Sequence, residues 1–344
     1  MKALLKTASG TGNIALTSVT KPKPDQGEVL IRVHTAGVCG TDIHLFYDRF
    51  NNSPPFVLGH EFSGIIESCG SDIDDFQLGE RVVAANNPYA CGTCKICQTG
   101  YPNLCPEKKA MGIHSDGCFA EFVKLPVQLV HRIPHNVDFE EAALMEPLAV
   151  AVHSVFHRCK IEKGDVVVVY GPGTIGLLAA QVAQAEGAAT VILAGIDVDE
   201  AVRFVCAKKL GIQTVNVQKE NLEAQIMSQT NGIGADVVIE ASGSIKAITS
   251  AISLLRRNGR LAVTGLTGQT EIMLVWDQMV SKGISVLFTY SSVNSDWRRA
   301  LKYLSDKKVQ TKPLITHHFA LEEWKQAFQV MEQMEAIKPV FQIM

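Results

Sequence analysis

Residues 165–176 read Asp165-Val166-Val167-Val168-Val169-Tyr170-Gly171-Pro172-Gly173-Thr174-Ile175-Gly176, an unbroken apolar run that ends in a glycine-rich turn. A run without alternation fits a strand buried on both faces, as in a parallel sheet, better than one with a wet side. Glycine clusters occur at many turns, but between a strand and a helix the G-x-G-x-x-G spacing has a mechanism. Gly171 permits the tight turn, Gly173 lets a pyrophosphate approach the backbone, and Gly176 lets the helix pack against the sheet. Thr174 and Ile175 open that helix, whose unpaired N–H groups and positive dipole end favour phosphate. The expected ligand is a dinucleotide.

Downstream the pattern keeps alternating. Helices are expected over 175–186, 200–210 and 245–255, and strands over 190–194, 236–240 and 260–264. Strand and helix in turn imply an α/β, doubly wound parallel sheet covered on both faces. The acidic residue that holds the adenosine ribose is expected at the end of the second strand, roughly 20 residues past the glycines. That end reads Leu193-Ala194-Gly195-Ile196-Asp197, so Gly195 occupies the natural position, with Asp197 two residues late and Arg203 nearby. Asp197 and Asp199 would repel an added phosphate and only Arg203 would attract it, which favours NAD over NADP.

Upstream, to about residue 140, short apolar strands such as 29–33 and 81–84 are broken by Gly, Pro, Asn and Asp, the mark of an irregular β-rich domain. Within it Cys91, Cys94, Cys97 and Cys105 follow the spacing C-x2-C-x2-C-x7-C, which no hydrophobic core demands. Four thiolates close a tetrahedron around zinc at about 2.3 Å and leave no position for chemistry, so this site is read as structural. The bacterial iron–sulfur run carries a shorter final gap, a zinc ribbon separates its pairs more widely, and a chain of this length hardly needs disulfide staples.

A second set of ligand types is not closed. Cys39, His60, Glu61 and Glu146 offer sulfur, imidazole and carboxylate, and three of them would leave a fourth position on zinc for water or substrate. Taken singly, a free cysteine or histidine more often packs than ligates. Cys69, Cys118, Cys159 and Cys206 have no such company and are read as packing or surface thiols.

Composition narrows the partners. A net charge of −3 with 19% charged residues offers no basic stripe for nucleic acid and no polybasic patch for a membrane, which leaves a small molecule. The opening Met1-Lys2-Ala3-Leu4-Leu5-Lys6 lacks the apolar core of a signal peptide, so the expected compartment is the reducing cytoplasm.

Several motifs in order carry a resemblance: Gly37-Val38-Cys39-Gly40-Thr41-Asp42-Ile43-His44, Gly59-His60-Glu61-Phe62-Ser63-Gly64, the four-cysteine lobe, Glu146-Pro147-Leu148 and the glycine turn. From end to end the chain resembles the zinc-dependent medium-chain dehydrogenases, and within them the sorbitol, polyol and threonine dehydrogenase branch. The resemblance implies a Rossmann cofactor domain over 150–285 inserted in a GroES-like catalytic domain, 1–149 and 286–344, with the zinc lobe at about 88–106. It implies two zinc ions, with Cys39, His60 and Glu61 as catalytic ligands and Glu146 as an exchangeable ligand or second-shell group. It also implies a proton relay from Thr41 through the cofactor ribose to His44, whose imidazole can pass a proton to water. The bland alternative is that Thr41 caps a helix and His44 lies on its surface.

An alcohol holds its proton too tightly at neutral pH for ready hydride release, and a zinc ion acting as a Lewis acid relieves that. The expected reaction is oxidation of a secondary alcohol of a polyol, sugar acid or sugar derivative to a ketone, with hydride passing to NAD(P). Glutamate at 146, where the alcohol dehydrogenases of the family carry cysteine, favours polyols. L-Threonine 3-dehydrogenation is the alternative, because the stretch 111–121 is similar to that of threonine dehydrogenases. A cofactor-binding structural protein is the non-enzymatic reading. Phe46, Ile113, His114 and Tyr290 are substrate-pocket candidates, although Thr289 stands where polyol dehydrogenases carry arginine. Homo-oligomers, dimer or tetramer, are expected, with 284–288 as a candidate edge strand.

Overall fold

The computed structural model describes residues 1–344 and divides into two compact units. One comprises Met1–Glu146, Val293–Ser305 and Leu314–Met344, and the other Pro147–Ser292 with Asp306–Pro313. No helix is long and apolar enough to cross a membrane.

The second unit is a six-stranded sheet in which every pairing is parallel. Its order is Gln213–Asn216, Thr190–Gly195, Val166–Tyr170, Ala235–Glu240, Leu255–Val263 and Ser285–Phe288. Val167, Val168 and Val169 are fully buried, as the unbroken apolar run requires. The helix Thr174–Ala185 buries Leu177, Leu178, Val182 and Ala183.

Three expectations shift. The helix placed over 200–210 begins only at Arg203, because the Asp199 carboxylate accepts the N–H of Ile196 at 2.9 Å and holds Asp197–Asp199 in a 3-10 turn. The strand placed at 260–264 starts at Leu255, immediately after its helix. The return to the first unit, expected at 286, comes at Val293, since Ser285–Phe288 pairs with Leu255–Val263 as the sheet's sixth strand. The cofactor unit also takes Asp306–Pro313, where the Gln310 N–H and carbonyl both bond the Gln181 amide, at 2.8 and 3.1 Å.

The first unit holds a seven-stranded sheet and a small three-stranded one. The larger runs Ile315–Phe319, Lys338–Gln342, Glu28–Gly37, Glu61–Cys69, Arg81–Ala84, Val130–Arg132, with Phe122–Pro126 also paired to Glu28–Gly37. Its register positions the site. Gly37 lies opposite Glu61 on one side and Val340 on the other, so the last strand of the chain runs beside Cys39 and Glu61.

Candidate active site

Cys39 immediately precedes the helix Gly40–Phe46, and its N–H donates to the Asp42 carboxylate at 2.8 Å. Asp42 thus orients the turn that presents the thiol, which leaves Thr41 inside the helix rather than at its cap. His60 and Glu61 enter the strand Glu61–Cys69 from a left-handed glycine, Gly59, with φ +90°. The ligand atoms of Cys39, His60 and Glu61 all lie within 4.8 Å of one another.

This cluster fits a cation. His60 Nδ1 is buried without a hydrogen-bond partner and sits 3.8 Å from Asp42 Oδ1. Burial opposes a charged imidazole, yet the Cys39 thiolate and the carboxylates of Asp42 and Glu146 outweigh it and raise the His60 pKa. Burial pushes Asp42 up to about 6 and Glu146 up to about 7. So many acidic groups crowded out of water attract protons, and a divalent ion satisfies them equally well. Soft thiolate with imidazole and carboxylate is a zinc donor set.

Two residues missed from the sequence complete the surroundings. Lys338 Nζ lies 2.9 and 2.7 Å from the two Glu61 oxygens and 2.9 Å from the Val38 carbonyl, with both side chains buried. Glu61 is therefore shared between the ligand cluster and an ammonium. Burial alone would strip the proton from Lys338, but Glu61 and Cys39 outweigh it and raise its pKa. A Cβ at Gly37 would collide with Glu61 Oε2, so the strand can approach the carboxylate only without a side chain there. Asn86 Nδ2 donates to Glu146 Oε1 at 2.6 Å, and Glu146 is not among the three clustered ligands. A lysine inside the apolar stretch Ile337–Phe341 was the signal available for Lys338.

Thr41 Oγ1 lies 3.7 Å from Cys39 Sγ, and His44 is exposed one helical turn on. Ile113 is buried, and His114 is half-buried with Nδ1 accepting the Ala110 N–H at 3.2 Å. Phe46 packs edge-on against Phe328, with ring centroids 6.3 Å apart, and beside Trp324, which places it among core aromatics. Tyr290 is exposed in the other unit.

The four-cysteine lobe draws Cys91, Cys94, Cys97 and Cys105 into one cluster, closed at its base by Lys109 N–H donating to the Tyr89 carbonyl at 3.0 Å. The Cys94 N–H points at Cys91 Sγ at 3.4 Å and the Cys97 N–H at Cys94 Sγ at 3.5 Å. Of the backbone donors, those of Cys94 and Thr93 favour a thiolate at Cys91 and pull it down to about 6. All nine cysteines are unpaired, and Cys118, Cys159 and Cys206 are buried.

In the cofactor unit Gly171 has φ +91°, and a Cβ at Gly176 would overlap the Gly171 carbonyl oxygen. The third glycine thus serves close approach within the turn itself. Gly173 precedes the helix that Thr174 and Ile175 begin. Beyond the second strand the charges are already paired. Asp199 is buried and holds Arg203 at 2.7 Å, while exposed Asp197 accepts from Asn216 at 2.7 Å and lies 3.2 Å from Lys219.

A parallel sheet with a glycine-rich turn, an open cysteine–histidine–glutamate cluster and a separate four-cysteine lobe together define a nicotinamide-dependent zinc dehydrogenase. Residues 25–135 match the family described as alcohol dehydrogenase GroES-like domain, and residues 174–306 match zinc-binding dehydrogenase. The chain is 41% identical to a sorbitol dehydrogenase of Halalkalibacterium halodurans, covering 98% of each. It is 36% identical to an L-threonine 3-dehydrogenase of Bacillus subtilis, covering 96% of this chain and 95% of the relative. A zinc-binding dehydrogenase of Sinorhizobium meliloti, solved bound to NADP, superposes with a TM-score of 0.92 at 31% identity, covering 99% of both chains. The chain belongs to the zinc-dependent medium-chain dehydrogenases, and is an NAD(P)-dependent zinc enzyme.

Proposed function

We propose that the enzyme oxidises a secondary alcohol of a polyol, sugar acid or sugar derivative to the ketone, with hydride passing to NAD. The observation that carries this reading is the buried Asn86–Glu146 pair, which adds an amide and a carboxylate to a cluster that already holds Glu61. So polar a surround suits a substrate with several hydroxyls better than a simple alcohol. Cys39, His60 and Glu61 hold one zinc ion, which when bound supplies Lewis acidity toward the substrate oxygen. Glu146 orients from beside them. Thr41 Oγ1 would take the substrate hydroxyl proton as it gives up its own toward His44, which, exposed on the same helix, would release a proton to water. Cys91, Cys94, Cys97 and Cys105 hold the second zinc.

NAD is favoured over NADP because Arg203 is committed to Asp199, and the cation nearest Asp197, Lys219, also binds Glu200 at 2.9 Å. A 2′-phosphate would meet two carboxylates before a free cation. The similarity to a threonine 3-dehydrogenase supports the second reading, L-threonine oxidation. The test is reduced-nicotinamide formation by zinc-loaded enzyme with NAD and with NADP, across polyols, sugar acids and L-threonine. Turnover confined to threonine overturns the polyol reading, and faster turnover with NADP overturns the cofactor preference.

The compartment we propose is the cytoplasm, in keeping with nine unpaired cysteines. The assembly we propose is a homo-oligomer that joins two copies through Ser285–Phe288. This strand is one of the two edges of the parallel sheet, and Phe288 on it is 70% exposed, with Trp276 and Val280 also largely exposed in the same unit. An uncovered apolar edge is an aggregation hazard unless another copy covers it, and a two-fold axis lets a strand pair with itself.

A further inference from the structure

We infer that Glu240 is a positioning residue for the dinucleotide: its buried carboxylate pins the loop that forms one wall of the cofactor crevice. The argument begins with topology. From Val166–Tyr170 the sheet grows one way to Thr190–Gly195 and the other way to Ala235–Glu240, so strand order reverses between these neighbours. Ligands of such sheets bind outside the carboxyl ends of the strands at that reversal. Glu240 is the last residue of its strand and lies opposite Tyr170, immediately before the glycine turn. The loop that follows Glu240 therefore faces Gly171.

Its side chain is 0% exposed, and the groups its carboxylate bonds are all neutral. Oε1 accepts the N–H of Ser242 at 2.8 Å, the N–H of Gly243 at 3.0 Å and the Ser242 hydroxyl, while Oε2 is 3.2 Å from the Gly243 N–H. The Glu240 carbonyl accepts from Thr264 N–H at 2.8 Å, Thr264 Oγ1 at 3.0 Å and Gly265 N–H at 3.1 Å. One residue thus ties together the ends of two strands. The fit leaves no slack. A Cβ at Gly171 would lie 2.8 Å from the Ser242 nitrogen, and one at Gly265 would collide with Glu240 Oε2 and the Gly243 nitrogen.

An apolar side chain would fill such a position at less desolvation cost than a carboxylate, so filling space does not account for the charge. What the carboxylate does is turn the N–H groups of Ser242 and Gly243 away from the crevice and hold their loop against the Gly171 turn. Without that hold the loop is free to move into the space the nicotinamide half needs.

The experiment is to measure NADH and NADPH affinity by fluorescence in zinc-loaded wild type, Glu240→Gln and Ser242→Ala, with zinc content and thermal unfolding of each preparation. Glu240→Gln keeps an oxygen and the volume but loses the charge. It is expected to weaken the preferred nucleotide about tenfold, raising its KM likewise, with zinc content and the KM for alcohol unchanged. Ser242→Ala removes one donor and is expected to act in the same direction by about threefold, even if the glutamine variant does not fold. Wild-type affinity in either folded variant overturns the inference, as does an equal loss in the KM for alcohol. A wild-type enzyme that binds neither nucleotide overturns this inference together with the nicotinamide reading on which it rests.

Discussion

Lys338 places an ammonium against Glu61 and the Val38 carbonyl in a site almost closed to water. Removing one member of a buried ion pair leaves the other charge uncompensated, at a cost of about 3–5 kcal/mol. Lys338→Met is therefore expected to lower stability in urea by that order, and Lys338→Arg to recover most of it. A Met variant as stable as wild type would show that Glu61 is satisfied without the lysine. For the chemistry we propose, the decisive residue is Cys39. Cys39→Ser is expected to abolish turnover while leaving NADH binding intact, as measured by fluorescence, because the cofactor-binding residues lie in the other unit. Wild-type turnover in that variant would sink the mechanism. Cys39, His60 and Glu61 were legible because the motifs that carry them resemble those of the family. Lys338 was not, since it stands 277 residues from Glu61 and only strand pairing unites them.

Among the elements, the glycine turn and the cysteine lobe were the most legible, because each depends on contacts within a dozen or so residues. Both carry predictions. Gly176→Ala puts a methyl group onto the Gly171 carbonyl oxygen, so the turn must open and NADH affinity should fall at least about tenfold, read by fluorescence titration. Cys97→Ser leaves three of the four clustered thiols, and is expected to release one zinc per chain and lower the unfolding temperature, read by metal analysis beside calorimetry. Retention of two zinc ions in that variant would remove the lobe from the metal count. Element ends were less legible. The helix expected from residue 200 starts at Arg203 because the Asp199 carboxylate accepts the N–H of Ile196, a choice that apolar periodicity does not register.

At the scale of the whole molecule, the proposed assembly rests on the edge strand Ser285–Phe288 of the parallel sheet. A charge at the centre of an apolar contact between copies opposes pairing. Phe288→Arg is accordingly expected to shift wild-type oligomer to monomer in light scattering with its fold, by circular dichroism, unchanged. A monomeric wild type would refute the proposed assembly. The same strand moved the expected boundary. Ser285–Phe288 belongs to the cofactor sheet, and the chain reaches the other unit only at Val293. Near position 286 the sequence has no composition change to mark the join, because a sheet-edge strand and a strand of the other unit look alike in a short apolar run.

The sequence by itself determined the alternation of the parallel sheet, the glycine-rich turn and the residue types of two clusters that could hold a metal ion. These rest on periodicity, on the spacing of the four cysteines and, for Cys39, His60 and Glu61, on the resemblance of their motifs. The tertiary structure alone decided that Lys338 grips Glu61, that Asn86 holds Glu146, that Glu240 joins two loops, and that Arg203 is already taken by Asp199. Two of these are pairings of side chains on different elements, and Glu240 reaches the second loop through its main-chain carbonyl, all set by strand register and by which polar atoms are left without water. The fourth, Arg203 on Asp199, spans one helical turn and depended on where the helix began.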